Sequence, residues 1–260
     1  MLPTHTNNRR ISLSVGSTAE RINRLLRHFK LQVSRYPRAS DRRRLRLMEG
    51  CGVDYVIDVG ANTGQYGALL RGLGYSGWIV SYEPLPSAFL ILQRRAKHDR
   101  KWRVIQSAVG DRTGTLVLNV AENSASSSAL VVSQRTIDVA PETRFVSRVE
   151  VECTTLAGIL NELPAQAPML KIDTQGYEDR VLTGAGTGLE RLVLLELELS
   201  LFEVYMGQVL FRTIDERLLS GGFALVSLAE GFYNAHSGEL LQIDAVYARA
   251  DKRQNVRERG

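Results

Sequence analysis

The sequence predicts an α/β fold: a doubly wound, mostly parallel sheet with helices on both faces and an antiparallel pair of strands at one edge. Three observations carry this. From Asp54 onward, short aliphatic and β-branched runs alternate with helix-length segments, the pattern of successive βα units. Clusters of Gly, Asn, Asp and Pro punctuate them. The last two apolar runs, 223–228 and 241–249, have no helix between them and read as an antiparallel closing pair.

The elements follow in order. Residues 55–59 read as a buried strand, 60–64 as a turn and 65–73 as a helix. Residues 78–82 form a second strand ending at Glu83, and Pro84 and Pro86 open a helix to about 97, proline being tolerated in a first turn. Residues 102–109 form a third strand, and Gly110-Asp111-Arg112-Thr113-Gly114 turns the chain into another at 115–120. The polar, poorly periodic stretch 121–148 reads as one long loop. A strand at 149–153 and a helix at 155–163 follow. Next come a strand at 169–173, a helix at 177–183 closed by Gly184, a strand at 192–199, and a helix at 209–219 closed by Gly221.

Composition bounds the rest. A chain of 260 residues with 44% hydrophobic and 23% charged residues is globular, which excludes collagen-like, coiled-coil and disordered classes. No apolar run approaches the roughly 18 residues of a bilayer span. No apolar stretch follows Arg9 and Arg10, so no secretory signal is expected. Cys51 and Cys153 lack metal-type spacing, and two thiols suit a reducing, cytoplasmic compartment.

The charge is uneven. Residues 1–50 carry 12 Lys and Arg against 3 Asp and Glu, and the remaining residues 21 against 25. This divides the chain into a basic helical extension (1–50), a catalytic body (51–250) and a charged tail (251–260). In the extension, Ser17-Thr18-Ala19-Glu20 has capping-box spacing, and Ile22, Leu25, Leu26, Phe29 and Val33 form one apolar helical stripe. A second arginine cluster, Arg42 to Arg46, leads into a short helix ending near Gly50 or Gly52. Such a head suits peripheral contact with an acidic lipid surface at the inner face of the membrane, or simply a solvated helix. No Arg/aromatic interleaving supports nucleic acid, and the sequence is silent on oligomeric state.

In sheets of this kind ligands bind at the carboxyl ends of the strands. The first such end, Asp58-Val59-Gly60-Ala61-Asn62-Thr63-Gly64, offers a tight turn and free helix amides, but its spacing is not the dinucleotide pattern G-x-G-x-x-G. That counts against a nicotinamide-dependent dehydrogenase. Glu83, ending the adjacent strand, can accept from both ribose hydroxyls, so the pair suggests an adenosine site. Asp111 is a candidate for the adenine amino group, or a plain turn aspartate. Lys171 and Asp173 stand at i and i+2 on one strand face, with Glu178 just beyond and Glu196 and Glu198 on the next strand. Carboxylates gathered there suit a general base. Asp173 is the first candidate, with Glu196 or Glu198 as helpers. His236, in the turn Asn234-Ala235-His236-Ser237-Gly238, is a second candidate. A divalent ion on Asp173, Glu178 and Glu196 is conceivable but not expected, since no ligand spacing demands it.

Together, Val56 to Gly67, Tyr82-Glu83-Pro84, Ser107-Ala108-Val109-Gly110-Asp111, Leu170-Lys171-Ile172-Asp173-Thr174-Gln175-Gly176-Tyr177-Glu178 and Ile243-Asp244-Ala245-Val246-Tyr247 resemble the FkbM family of S-adenosylmethionine-dependent O-methyltransferases. The resemblance implies a seven-stranded, Rossmann-like class I methyltransferase fold and methylation of a hydroxyl, often on a sugar. It implies that Asp58, Gly60, Asn62 and Gly64 hold the methionine end of the cofactor, that Glu83 binds ribose, and that Ala108 and Asp111 line the adenine pocket. Lys171 and Asp173 would face the methyl group. The expected acceptor is a sugar hydroxyl on a glycolipid or similar glycoside, in a pocket shaped by 121–148 and by Phe202, Tyr205 and Met206. The competing reading is a non-catalytic module of the same fold that binds cofactor or membrane.

Overall fold

A computed structural model of the chain describes residues 37–253. The predicted helix at 17–33 lies outside them. The chain divides into two compact units, residues 1–42 and 43–260, and the second holds the sheet and every site residue. Helix α1 (Ala39–Gly50) runs across that division.

The main sheet has seven strands: β1 (Tyr55–Val59), β2 (Trp78–Tyr82), β3 (Trp102–Ile105), β7 (Pro168–Ile172), β8 (Leu194–Ser200), β9 (Phe223–Glu230) and β10 (Gln242–Arg249). Their order is β3-β2-β1-β7-β8-β10-β9. The first five run parallel, and β10 is antiparallel to both β8 and β9. This is the mixed sheet with an antiparallel edge pair that the sequence predicts. The crossover helices include α2 (Gln65–Gly72), α3 (Pro86–Ala96), α5 (Leu156–Glu162), α6 (Glu178–Thr183) and α7 (Phe211–Ser220).

Both faces are covered, so the central strands read as continuous apolar runs, with alternate side chains going to opposite cores. Ile57, Val59, Leu170, Ile172, Leu195 and Leu197 pack on one face. Val56, Ile79, Met169, Leu194 and Val246 pack on the other with Met48 of α1. Polar residues interrupt that second face in register: Asp58 is paired with Lys171, Lys171 with Glu196, and Glu198 with Asp244.

Two expectations are corrected. The predicted third strand is two strands. After β3, residues Gln106 and Ser107 carry the chain out of the main sheet, and β4 (Ala108–Gly110) joins a second, three-stranded sheet with β5 (Gly114–Ala121) and β6 (Phe145–Thr155) in the order β4-β6-β5. The predicted loop 121–148 is also ordered. It contains a turn of 3-10 helix at Ser124–Ser126 and helix α4 (Gln134–Val139), whose N-cap Ser133 accepts from the Thr136 amide. It also contains a second 3-10 turn at Pro141–Thr143 and the first half of β6. Asn119 and Ser128 exchange backbone hydrogen bonds, which folds the serine segment back on β5.

Candidate functional site

The carboxyl ends of β1, β2, β7 and β8 open into a cavity of about 480 Å³. The turn after β1 forms its floor. Gly60 takes φ 78°, and a Cβ there would stand 1.8 Å from the carbonyl oxygen of Asp173, so only glycine lets this turn lie against the end of β7. Asn62, also left-handed at φ 46°, donates its amide to Oε2 of Glu83 at 2.7 Å, and Leu85 donates to Oε1 at 2.8 Å. Glu83 is thereby aimed at the cavity it lines. Burial pushes its carboxyl up to about 7 against those two amide bonds.

Not every residue expected at the cofactor sits on that wall. Asp58 is fully buried behind it, accepts from the Ser81 hydroxyl at 3.0 Å, and leaves Oδ1 without a hydrogen bond. Burial raises its carboxyl to about 6, with the charge of Lys171 opposing. Its place is underneath the loop. Gly64 also packs away from the cavity, where a Cβ would meet Leu92 and Trp102. Asp111 is ion-paired with Arg180 at 2.9 Å outside the lining, because the chain has left the main sheet by β4. Ala108 does line it, with Leu85, Leu116 and Leu118.

The cavity is also lined by a charged cluster. Lys171 Nζ donates to Oδ2 of Asp173 at 2.8 Å. Burial disfavours the ammonium, but Asp173 and then Asp58 outweigh it and hold Lys171 above the ordinary lysine range. Burial pushes Asp173 up, but Lys171 and the Gln175 amide prevail and hold its carboxyl below the usual range. Gln175, left-handed at φ 54°, puts Nε2 at 2.7 Å from Oδ1 of Asp173 and at 2.7 Å from Oε2 of Glu198. Its own Oε1 accepts from Tyr205 at 2.8 Å, and its carbonyl accepts from the Ser128 hydroxyl at 2.6 Å. Glu198 also accepts from Gln242 at 3.1 Å. Burial, then the neighbouring Asp173 and Glu178, raises Glu198 well above the ordinary glutamate range.

Three sequence expectations change here. Glu196 lines the cavity but is gripped by Arg44 of α1 through Nε and Nη2 and accepts from the Tyr66 hydroxyl at 2.8 Å, so it is neutralised. His236 is exposed beyond β9, where its backbone amide donates to Oδ1 of Asn234, and it does not line the cavity. Glu178 is spent on the turn before α6, accepting from the Thr174 and Gly176 amides. Among the described residues, no group of three His, Cys, Asp or Glu side chains is arranged to hold a metal ion. Sequence reasoning missed Arg44, Tyr66, Gln175 and Gln242. Tyr66 and Gln175, each inside a quoted motif, carried a sequence signal.

The structure places the residues expected to shape an acceptor pocket as follows. Ser124, Ser127 and Ser128 line the cavity, and Tyr205 is buried with its hydroxyl on Gln175 and on the Ser126 carbonyl. Phe202 and Met206 are exposed and do not line it.

The residues fit S-adenosylmethionine. A carboxylate stands where ribose hydroxyls would donate. Leu85, Ala108, Leu116 and Leu118 give the lining an apolar part that suits a flat base, and the carboxylates Asp173 and Glu198 favour a sulfonium cation.

Among solved structures, the chain is similar to an rRNA methylase from Streptococcus thermophilus, at 12% identity and a TM-score of 0.45, over 83% of this chain and 99% of that one. It is also similar to the METTL16 methyltransferase domain, at 13% identity and a TM-score of 0.45, over 91% and 81%. No curated protein matches it. The model of the methyltransferase FkbM domain matches residues 58–225, from the acid under the glycine turn to the first half of β9. That span takes in the floor of the cavity, Glu83 and the charged cluster, and by it the chain belongs to the FkbM methyltransferase family, with a Rossmann-like class I methyltransferase fold.

Proposed function

We propose that the chain transfers a methyl group from S-adenosylmethionine to a hydroxyl, on a sugar of a glycolipid or related glycoside. When bound, the cofactor supplies an electrophilic methyl group. Glu83 and the Asn62 turn orient the nucleoside, and Lys171 fixes Asp173 at the reacting end.

The observation that carries the hydroxyl reading is the pair Asp173 and Glu198 on one Gln175 amide, both carboxylates lining the cavity. An aliphatic hydroxyl is a poor nucleophile and needs a proton acceptor as it reacts. Holding two carboxylates together in a largely buried site is costly, and proton transfer gives that arrangement a use. The serine-rich wall supplies donors and acceptors of the kind a sugar presents. The basic segment 1–50 would bring the protein to an anionic lipid surface at the cytoplasmic face of the membrane.

The test is incubation with trideuteromethyl-labelled cofactor and a bacterial glycolipid extract, read by mass spectrometry. A labelled methyl on a sugar hydroxyl is expected. Label found only on nitrogen, or none despite tight cofactor binding, overturns the reading.

A further inference from the structure

We propose that Glu198, and not Asp173, takes the proton from the acceptor hydroxyl, and that Gln175 is the positioning residue that holds it in place. The inference rests on the hydroxyl reading above and deepens it. Asp173 has the closer motif position, but both of its oxygens are engaged, Oδ2 by the Lys171 ammonium and Oδ1 by Gln175. A carboxylate held by a cation is a weak base. Glu196 is excluded by Arg44, and Glu178 by its turn amides.

Glu198 is held differently. Its two donors, Gln175 and Gln242, are neutral amides, and both bind Oε2. Among the described residues no N–H or O–H donates to Oε1, and Glu198 lines the cavity. It is therefore an oriented carboxylate with one oxygen left for the acceptor. The charged and titratable groups around it are Asp173 and Lys171 from β7, Glu178 from α6, Asp244 from β10, and Tyr205. Asp173, kept ionised by Lys171, is the neighbouring charge that favours the proton on Glu198 once it has moved. Burial and these neighbours raise Glu198's proton affinity, as a base requires.

The step balances. The acceptor oxygen forms its bond to the methyl carbon as the carbon–sulfur bond breaks with its electron pair left on sulfur. The hydroxyl proton passes to Oε1 of Glu198.

Gln175 makes this geometry unusual. A left-handed backbone is costly for a residue other than glycine or asparagine, and here it turns one side-chain nitrogen onto two carboxylates. Asparagine tolerates that backbone but is one methylene too short to reach both.

The experiment compares the full chain with E198Q, D173N and Q175N. Glutamate δ-carbons are labelled with carbon-13 and titrated by NMR. S-adenosylmethionine affinity is measured by calorimetry, and methyl transfer is measured with methyl glycosides of hexoses and 6-deoxyhexoses. The expected result is a glutamate signal titrating well above the ordinary range that is absent in E198Q and shifted in Q175N. E198Q should lose about 10²–10⁴-fold in rate while cofactor affinity falls far less, and Q175N should move the pH profile of the rate. If the wild-type protein methylates a glycoside and E198Q does so equally well, Glu198 is not the base and the hydroxyl reading stands. If it binds cofactor and methylates no glycoside, the sugar-hydroxyl reading falls. In that case the titration still bears on Glu198, since an ordinary titration of Glu198 overturns the inference by itself.

Discussion

Arg44 and Glu196 lie 152 residues apart and form a two-pronged ion pair at the wall of the cavity, with Nε 2.7 Å from Oε2 and Nη2 2.5 Å from Oε1. Their side chains are only 12% and 4% exposed. Removing one partner strands a largely buried charge, whatever the net worth of the intact pair. Arg44→Met should therefore destabilise the fold by about 3–5 kcal/mol, read by urea denaturation. The double variant Arg44→Met/Glu196→Gln should recover most of the loss. A single variant as stable as the parent would mean that the pair is not closed in solution.

Gly60 meets two demands at once, a left-handed backbone and a gap of 1.8 Å that no side chain can enter. Gly60→Ala should cost about 1–3 kcal/mol in backbone strain and about 1–3 kcal/mol in overpacking against the Asp173 carbonyl. Because the same contact places the nucleoside floor against the charged cluster, cofactor affinity should fall together with the melting temperature. A variant that melts normally and binds normally would remove Gly60 from the site.

Glu83 gives cofactor binding a pH dependence of predictable sign. Burial holds its carboxyl at about 7 in the protein. Ribose hydroxyls donate to the ionised form, so affinity should rise as pH passes through about 7 and level off above it. Calorimetry from pH 5.5 to 8.5 should show this, and Glu83→Gln should flatten it and weaken binding. Stability runs the other way. The folded carboxyl keeps its proton to higher pH than the unfolded one, so Glu83's contribution is fully present below the usual carboxylate range and is lost as pH rises through about 7. Glu178, also raised to about 7 chiefly by burial, acts in the same direction. The cofactor-free protein should lose melting temperature between pH 5 and 8.

How much of this was legible in the sequence depended on range. Strands β1, β2, β7 and β8 are runs of Val, Ile and Leu buried on both faces, so their apolar continuity is local information. Lys171, Asp173 and Glu83 could be placed because strand ends in a parallel sheet share one edge. The departure of β4 was hidden because Gln106 and Ser107 do not break a strand by propensity. The turn is set by pairing with Cys153, 45 residues on. The order within 121–148 rests on Asn119 meeting Ser128, though the Ser133 N-cap was a local signal left unread. His236 and Asp111 were placed by chemistry at a turn, and the turns point elsewhere. Arg44 looked like one more solvated arginine, since nothing nearby in the sequence announces a buried partner on β8.

The last prediction concerns Asp173, which touches both the fixed cation and the proposed base. Its carboxylate raises Lys171 against the opposing effect of burial, and, after burial itself, is the main group raising Glu198. In Asp173→Asn both effects are lost, so both groups should titrate lower. If Glu198 is the base, the rising limb of the pH–rate profile should move to lower pH, because less alkali is needed to ionise it. The maximal rate should still fall, by about 10²-fold or more, because the anion that stabilises the transferred proton is gone. Cofactor affinity should fall far less than the rate, since Glu83 and the Asn62 turn are untouched. If Asp173 were itself the base, the limb would vanish instead of moving. The pH–rate profile of this one variant with a methyl glycoside acceptor therefore distinguishes the two carboxylates.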